Sequence, residues 1–412
     1  MNITGEEKNY LRDLAKKVAE LATLPRQEEM AKAWRRHNRL QAGRPLVLIF
    51  PEGAWSELLP ESTLRFSDPL LRNWERDLRW RLYYSQHLQD DSVIDDILYV
   101  PKAIENTGWG LEVKPIRPEQ LRGACHYEPV LVEEKDIEKI KFPVISEDEK
   151  ETVRRWEIAR EIFGDILKVE LRGIGGLWYS PMDWLAVWRG FDRLFLDLTE
   201  RPKWIHQVMA KITAGTLSML DQYEKLNLLS LNNGNHYVGS GGFGFTDELP
   251  QNDFDGYWVR TLDLWGHATA QIFSLVSPAM HEEFALEYEK QVLSRFGLNC
   301  YGCCEPLHKK LDQVTKIPRL RRISMSPWVE IGEAAGKIGR RFIFSWKPNP
   351  AVLAGETWEP DVARQVIRQA LSQLTGCVVE IIMKDTHTCR NQPQRMVEWV
   401  KIARQEAERW TG

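Results

Sequence analysis

A closed (β/α)8 barrel with a helical N-terminal extension is the fold this 412-residue sequence predicts. Three observations predict it. About eight short apolar runs alternate with stretches of helical periodicity, the pattern of parallel strands joined by crossover helices. The first run, Pro45-Leu46-Val47-Leu48-Ile49-Phe50, is continuously apolar and bounded by Pro and Gly, as a strand covered on both faces should be. No run is followed by G-x-G-x-x-G or a P-loop, so a doubly wound open sheet, the alternative, lacks its phosphate-binding signature.

Taken in order, residues 1–44 form the extension. Tyr10, Leu11, Leu14, Ala15, Val18 and Leu21 recur at helical spacing, Pro25 interrupts, and a basic helix resumes over 26–40. The barrel occupies 45–412 as one domain. After the first strand come a charged helix over 70–89 and a second strand over 97–100. Residues 126–132 read as a hairpin arm, 149–163 as a helix, and 166–172 as the third strand. Helices at 181–199 and 202–226 precede a fourth strand at 228–232, whose following glycine-rich loop, 233–242, reads as a mobile lid. A helix at 278–296 leads to strand 298–302, and a further helix starts within 307–314. The last third repeats the unit most regularly, with strands 322–325, 342–346 and 378–384 and helices 330–338, 360–374 and 394–409.

Composition narrows the function. Hydrophobic residues make up 43%, enough for a sizeable core, and the net charge is −4 with both signs mixed. Without a Lys/Arg block, a nucleic-acid surface is not expected. No apolar run reaches a membrane span, and the charged N-terminus lacks a signal peptide's apolar stretch, so the expectation is a cytoplasmic protein that does not enter a membrane. The six cysteines are too few for a disulfide scaffold in a chain this long and read instead as ligands, nucleophiles or small buried hydrophobes.

Candidate chemistry concentrates at predicted strand ends, where a barrel carries its active site. Asn299-Cys300-Tyr301-Gly302-Cys303-Cys304-Glu305-Pro306-Leu307-His308 holds three of the six cysteines. Strand alternation puts Asn299, Tyr301 and Cys303 on one face and Cys300, Gly302 and Cys304 on the other. His387 and Cys389 follow the last strand on the same rim. Thiolates with a His or Glu and an open position have the composition of a catalytic zinc site, though their spacing is not a compact metal motif. His236 offers a ligand, an acid/base or a substrate contact; an ordinary loop histidine would look the same. Glu170, Arg172, Glu380 and Lys384 give the strands a polar face, which structural charge pairs would also produce. Among the 17 tryptophans, Trp55, Trp178, Trp328 and Trp346 fall near strand ends, where an indole can line a pocket. His37, His87, His206, His267 and His281 read as surface or helix residues.

On these residues the chain, from about 45 to 405, resembles the uroporphyrinogen decarboxylase superfamily and is most similar to its corrinoid-dependent methyltransferase branch. Tyr301-Gly302-Cys303-Cys304 sits where the methylcobamide:coenzyme M methyltransferases have His-x-Cys. Lys347-Pro348-Asn349-Pro350-Ala351-Val352-Leu353 resembles the family's Gly-Asn-x-x-Pro turn. The stretch 384–389, followed by Pro393, falls where that branch places its late zinc cysteine. The resemblance implies a zinc ion held by Cys303 and by His387 or Cys389, with Tyr301 in place of the family's histidine and Glu305, His236 or His387 as third ligand. His236 and Glu305 are then the catalytic candidates, and Trp55, Trp178, Trp328 and Trp346 the substrate-binding ones. It further implies methyl transfer between a small methylated substrate, such as an aryl methyl ether, and the cobalamin of a separate corrinoid protein; a homodimer is also compatible. Metal-independent decarboxylation is the alternative, but the residues matching the family's arginine-rich segment, Leu48-Ile49-Phe50-Pro51-Glu52-Gly53-Ala54-Trp55, contain no arginine.

Overall fold

The computed structural model describes residues 3–116 and 125–412. Its parallel strands are β1 (Leu46–Ile49), β2 (Ile97–Pro101), β3 (Lys168–Arg172), β4 (Trp178–Tyr179), β5 (Trp265–Ala268), β6 (Leu298–Tyr301), β7 (Leu320–Met325), β8 (Ile343–Trp346) and β9 (Val378–Met383). Seven of them make one sheet in the order β1-β9-β8-β7-β6-β5-β4, every ladder parallel. β2 and β3 pair in parallel as a separate two-stranded sheet. The architecture is α/β and consistent with a barrel of this class, and among the described residues no ladder joins β1 to β2. There, Asp91 Oδ2 accepts from the Val47 amide at 2.8 Å and Asp90 Oδ2 from the Ile49 amide at 3.1 Å. Carboxylates thus satisfy donors that a neighbouring strand would otherwise take.

Side chains alternate as a covered parallel strand requires. Val47 and Ile49 of β1, and Val379, Ile381 and Met383 of β9, pack into the main core. Leu46, Leu48 and Ile382 point the other way, into the interior, where they meet Trp34, Phe243 and Phe245. A second core joins Leu11, Leu14 and Val18 of the helix Gly5–Ala22 to Leu98 and Val100 of β2 and to Phe163. That helix begins with a capping box, Thr4 with Glu7, which satisfies amides left free at its first turn. The next helix, Pro25–Asn38, sends buried Trp34, His37 and Asn38 to the inner face of the sheet.

The last third matches its expected units within a few residues. Four expectations change. Residues 228–232 form no strand; they contribute one parallel bridge, Ile174 to Leu229. The strand actually present before β6 is β5, whose Trp-Gly-His-Ala sequence breaks the apolar pattern. The helix expected over 181–199 is two, Pro181–Arg189 and Phe191–Glu200, divided at Gly190 with φ +87°. The loop 233–242 is no lid: Val238 and residues 240–246 are buried, filling the interior from the open side. Gly239, at φ +63°, lies so close to β6 that a Cβ there would sit 2.5 Å from Cys300 Cβ. The expected hairpin arm is partly visible as an antiparallel pair between Pro115–Ile116 and His126–Tyr127; its connection lies outside the described residues. Among the described residues, no helix is long and apolar enough to cross a membrane.

Candidate active site

The interior is polar at its centre. Glu380 of β9 is fully buried, lies 3.0 Å from His37 Nε2 and forms a 2.9 Å ion pair with Arg322 Nε of β7. Burial opposes its charge, but Arg322, His37 and Lys347 hold the carboxyl down at about 2. Arg322 also donates to Asn38 Oδ1 at 2.8 Å and approaches Cys300 Sγ at 3.7 Å. Lys347, just past β8, donates to Ser345 Oγ at 2.5 Å, and burial drives its amine down to about 7.

Above this layer stands the rim motif. Gly302, at φ +87°, ends β6 and resets the alternation, because a left-handed residue turns the chain out of the pleat. Tyr301 therefore stays with the helices, donating to Glu289 at 2.8 Å and lying 2.8 Å from His281 Nε2. Cys303 does not share Tyr301's face as strand alternation predicts; it turns to the mouth. Its thiol lies 3.5 Å from Cys304 Sγ, 3.4 Å from Ser240 Oγ and 3.7 Å from Lys384 Nζ. The Cys304 contact, helped by Lys384 and Ser240 against burial, makes Cys303 the more acidic thiol of the pair. Glu305 is buried beneath, accepting from the Cys303 amide and from Thr269 Oγ1, both at 2.8 Å. It acts here as a brace for the rim backbone.

Cys389 is buried and donates to Glu57 Oε2 at 3.1 Å; burial, then the Glu57 carboxylate, pushes it up to about 11. His387 is exposed against Gly53, whose Cβ would lie 3.3 Å from its Nδ1. Among the described residues, no three His, Cys, Asp or Glu side chains converge as a metal-holding group.

Two cavities open beside the rim. One, of about 410 Å3, is lined by His236, Tyr99, Arg172, Asp95 and Trp80. His236 Nδ1 is 2.6 Å from the Asn235 carbonyl, and burial followed by the Arg172 charge pushes its imidazole down to about 4. The other, of about 390 Å3, is lined by Arg172, Trp178, Gly239, Trp265 and His267. Among the tryptophans, Trp178 is 41% exposed and its ring centroid lies 4.3 Å from that of His267. Trp55 stacks on Trp80 at 4.9 Å beside a third cavity of about 560 Å3. Trp346 is buried in the main core, whereas Trp328 is 67% exposed.

Of the histidines read from sequence as surface or helix residues, His37 and His281 lie in helices but are buried, and His267 is buried on a strand. His267 is the candidate site residue that sequence reasoning missed. It lies on the inner face of β5, and its signal was the Trp265-x-His267 alternation, hidden because β5 itself went unrecognised.

No protein-family model matches the chain, and no curated protein matches it. Among solved structures, a methyltransferase from Methanosarcina mazei superposes with a TM-score of 0.52 at 11% sequence identity, covering 93% of this chain and 99% of that one. That likeness establishes a shared fold.

Proposed function

We propose that this protein is a methyltransferase that moves a methyl group between a small methylated substrate and the cobalamin of a separate corrinoid protein. The observation that carries the reading is where the reactive groups fall. An acidified thiol at Cys303, the Lys384 ammonium and His267 lie on or just past strands of the seven-stranded sheet, and Arg172, at the end of β3, lines two cavities beside them, one of which it shares with His267. The fold shared with a methyltransferase along nearly the whole of both chains supports it.

Zinc, which the sequence resemblance implies, does not fit this donor set. Cys303 lies against a lysine ammonium, Cys389 donates its proton to Glu57, and Tyr301, in the place of a histidine ligand, is held in the helical layer. In the demethylating direction the methyl carbon–oxygen bond would break with its electron pair left on oxygen, and a cob(I)alamin held by the partner would supply the pair for the new bond to the methyl carbon. The chain's contribution is electrostatic: Lys384 and a neutral His267 N–H face a mouth where an oxygen gains charge.

The test is spectroscopic. Wild-type protein mixed with reduced cobalamin and a panel of methoxyaromatics should produce the methylcobalamin spectrum, and Lys384→Met should slow its appearance at least tenfold. Absence of methylcobalamin with every donor, against a folded protein, would reject the reading.

A further inference from the structure

Arg172 and His267 identify the substrate more narrowly than methyl transfer alone does. Arg172 closes β3 and lines both cavities beside the rim. Its guanidinium carbon sits 4.8 Å from the centroid of the Tyr99 ring, an arrangement that orients the planar fork and leaves its donors outward. Among the described residues it makes no ion pair. The carboxylate that acts on it, Asp95, is already engaged by Arg81 at 3.2 Å and Asn235 at 2.8 Å. Gly175 keeps the approach clear, since a Cβ there would stand 3.1 Å from Arg172 Nη2.

The second observation is independent. His267 is 4% exposed, lines the cavity that Arg172 and Trp178 share, and among the described residues has at most one ring nitrogen partnered, by the Cys300 backbone. A buried polar group left unpaired is destabilising, so the unpartnered nitrogen calls for a partner that enters with a ligand. Trp178, half-open and with its ring centroid 4.3 Å from that of His267, lines the same cavity and offers a stacking surface. The cavity of about 390 Å3 is within the size range of small-molecule sites.

We propose that this cavity binds an aromatic monocarboxylate, its acid group paired with Arg172, its ring on Trp178 and a polar ring substituent hydrogen-bonded to His267. A single guanidinium fork matches a planar carboxylate bidentately, whereas a phosphate dianion would find no second cation in this wall. As the identity of the methyl-bearing substrate, the proposal rests on the methyltransferase reading; as a binding site, it is measured without it.

Titration calorimetry with benzoate, benzamide, benzenesulfonate and 4-methoxybenzoate, in the absence of any corrinoid, tests it. Wild type should bind benzoate at least tenfold more tightly than benzamide or benzenesulfonate, and 4-methoxybenzoate more tightly still. Arg172→Met should lose at least tenfold for both carboxylates while binding benzamide as before, and Arg172→Lys should recover part of the loss. His267→Phe should remove the advantage of 4-methoxybenzoate over benzoate. Unchanged thermal midpoints establish that each variant is folded. Equal affinity for benzoate and benzamide, preference for the sulfonate, or no carboxylate binding by folded wild type would overturn the proposal. Carboxylate binding without methyl transfer would reject the methyltransferase reading and leave this site standing.

Discussion

Replacing Glu380 by Gln removes one charge from a pair that has no access to water. Glu380 is 0% exposed and Arg322 1% exposed, with 2.9 Å between them, so the unpaired guanidinium could not recover its lost partner from solvent. Breaking such a pair from one side costs about 3–5 kcal/mol. The carboxyl's acidity leads to the same range. Its pKa falls from an ordinary 4.5 to about 2, and at about 1.4 kcal/mol per unit that is roughly 3 kcal/mol. The sign follows from linkage: this stabilisation is complete above 4.5 and lost as pH falls through about 2. Urea unfolding at neutral pH should therefore show a lower midpoint at an unchanged slope. Adding Arg322→Met to Glu380→Gln should restore much of the loss, because the orphaned charge is then gone. A single-variant loss below about 1 kcal/mol, well under the range for breaking a buried pair, would refute the inference that this network anchors the interior.

Three other outcomes follow from the same geometry. Gly239→Ala should destabilise by about 2–5 kcal/mol, combining a left-handed backbone with overpacking against Cys300; a chemical-denaturation loss below 1 kcal/mol would mean that the 233–246 loop yields. His236, His267 and His281 are held at about 4, 3 and 3, so the unfolded chain takes up protons below 6.5 that the native one refuses. Stability should fall with acid by up to about 1.4 kcal/mol per pH unit for each histidine, and denaturation curves flat between neutral pH and 5 would contradict that. Lys384→Met should raise the pH at which the Cys303 thiolate forms, read from ultraviolet thiolate absorbance against a Cys303→Ala control; an unmoved midpoint would remove Lys384 from the site's electrostatics.

The last third of the chain was legible because β8 and β9 are largely apolar runs closed by Lys, and the helices around them carry clean periodicity. β5 was not, since Gly266 and His267 interrupt the only four residues that could have announced it. Its loss carried His267 away with it. The thiol cluster was legible as a concentration of cysteines, yet its facing was not: a positive φ at Gly302 cannot be seen in strand alternation, and it decides that Cys303 turns to the mouth while Tyr301 turns to the helices. The loop 233–242 shows the same limit. Glycine content signals conformational freedom, but here it serves close approach to Cys300 and Arg322, which only the packed interior reveals.

The central claim is best tested with a doubly labelled donor, 4-methoxybenzoate carrying one isotope in its methyl group and another in its carboxyl group. Incubated with the protein and reduced cobalamin, the methyl label should appear on cobalt while the carboxyl label stays on the ring as 4-hydroxybenzoate. Release of the carboxyl label as carbon dioxide, with the methyl ether intact, would contradict the account and assign the site to decarboxylation.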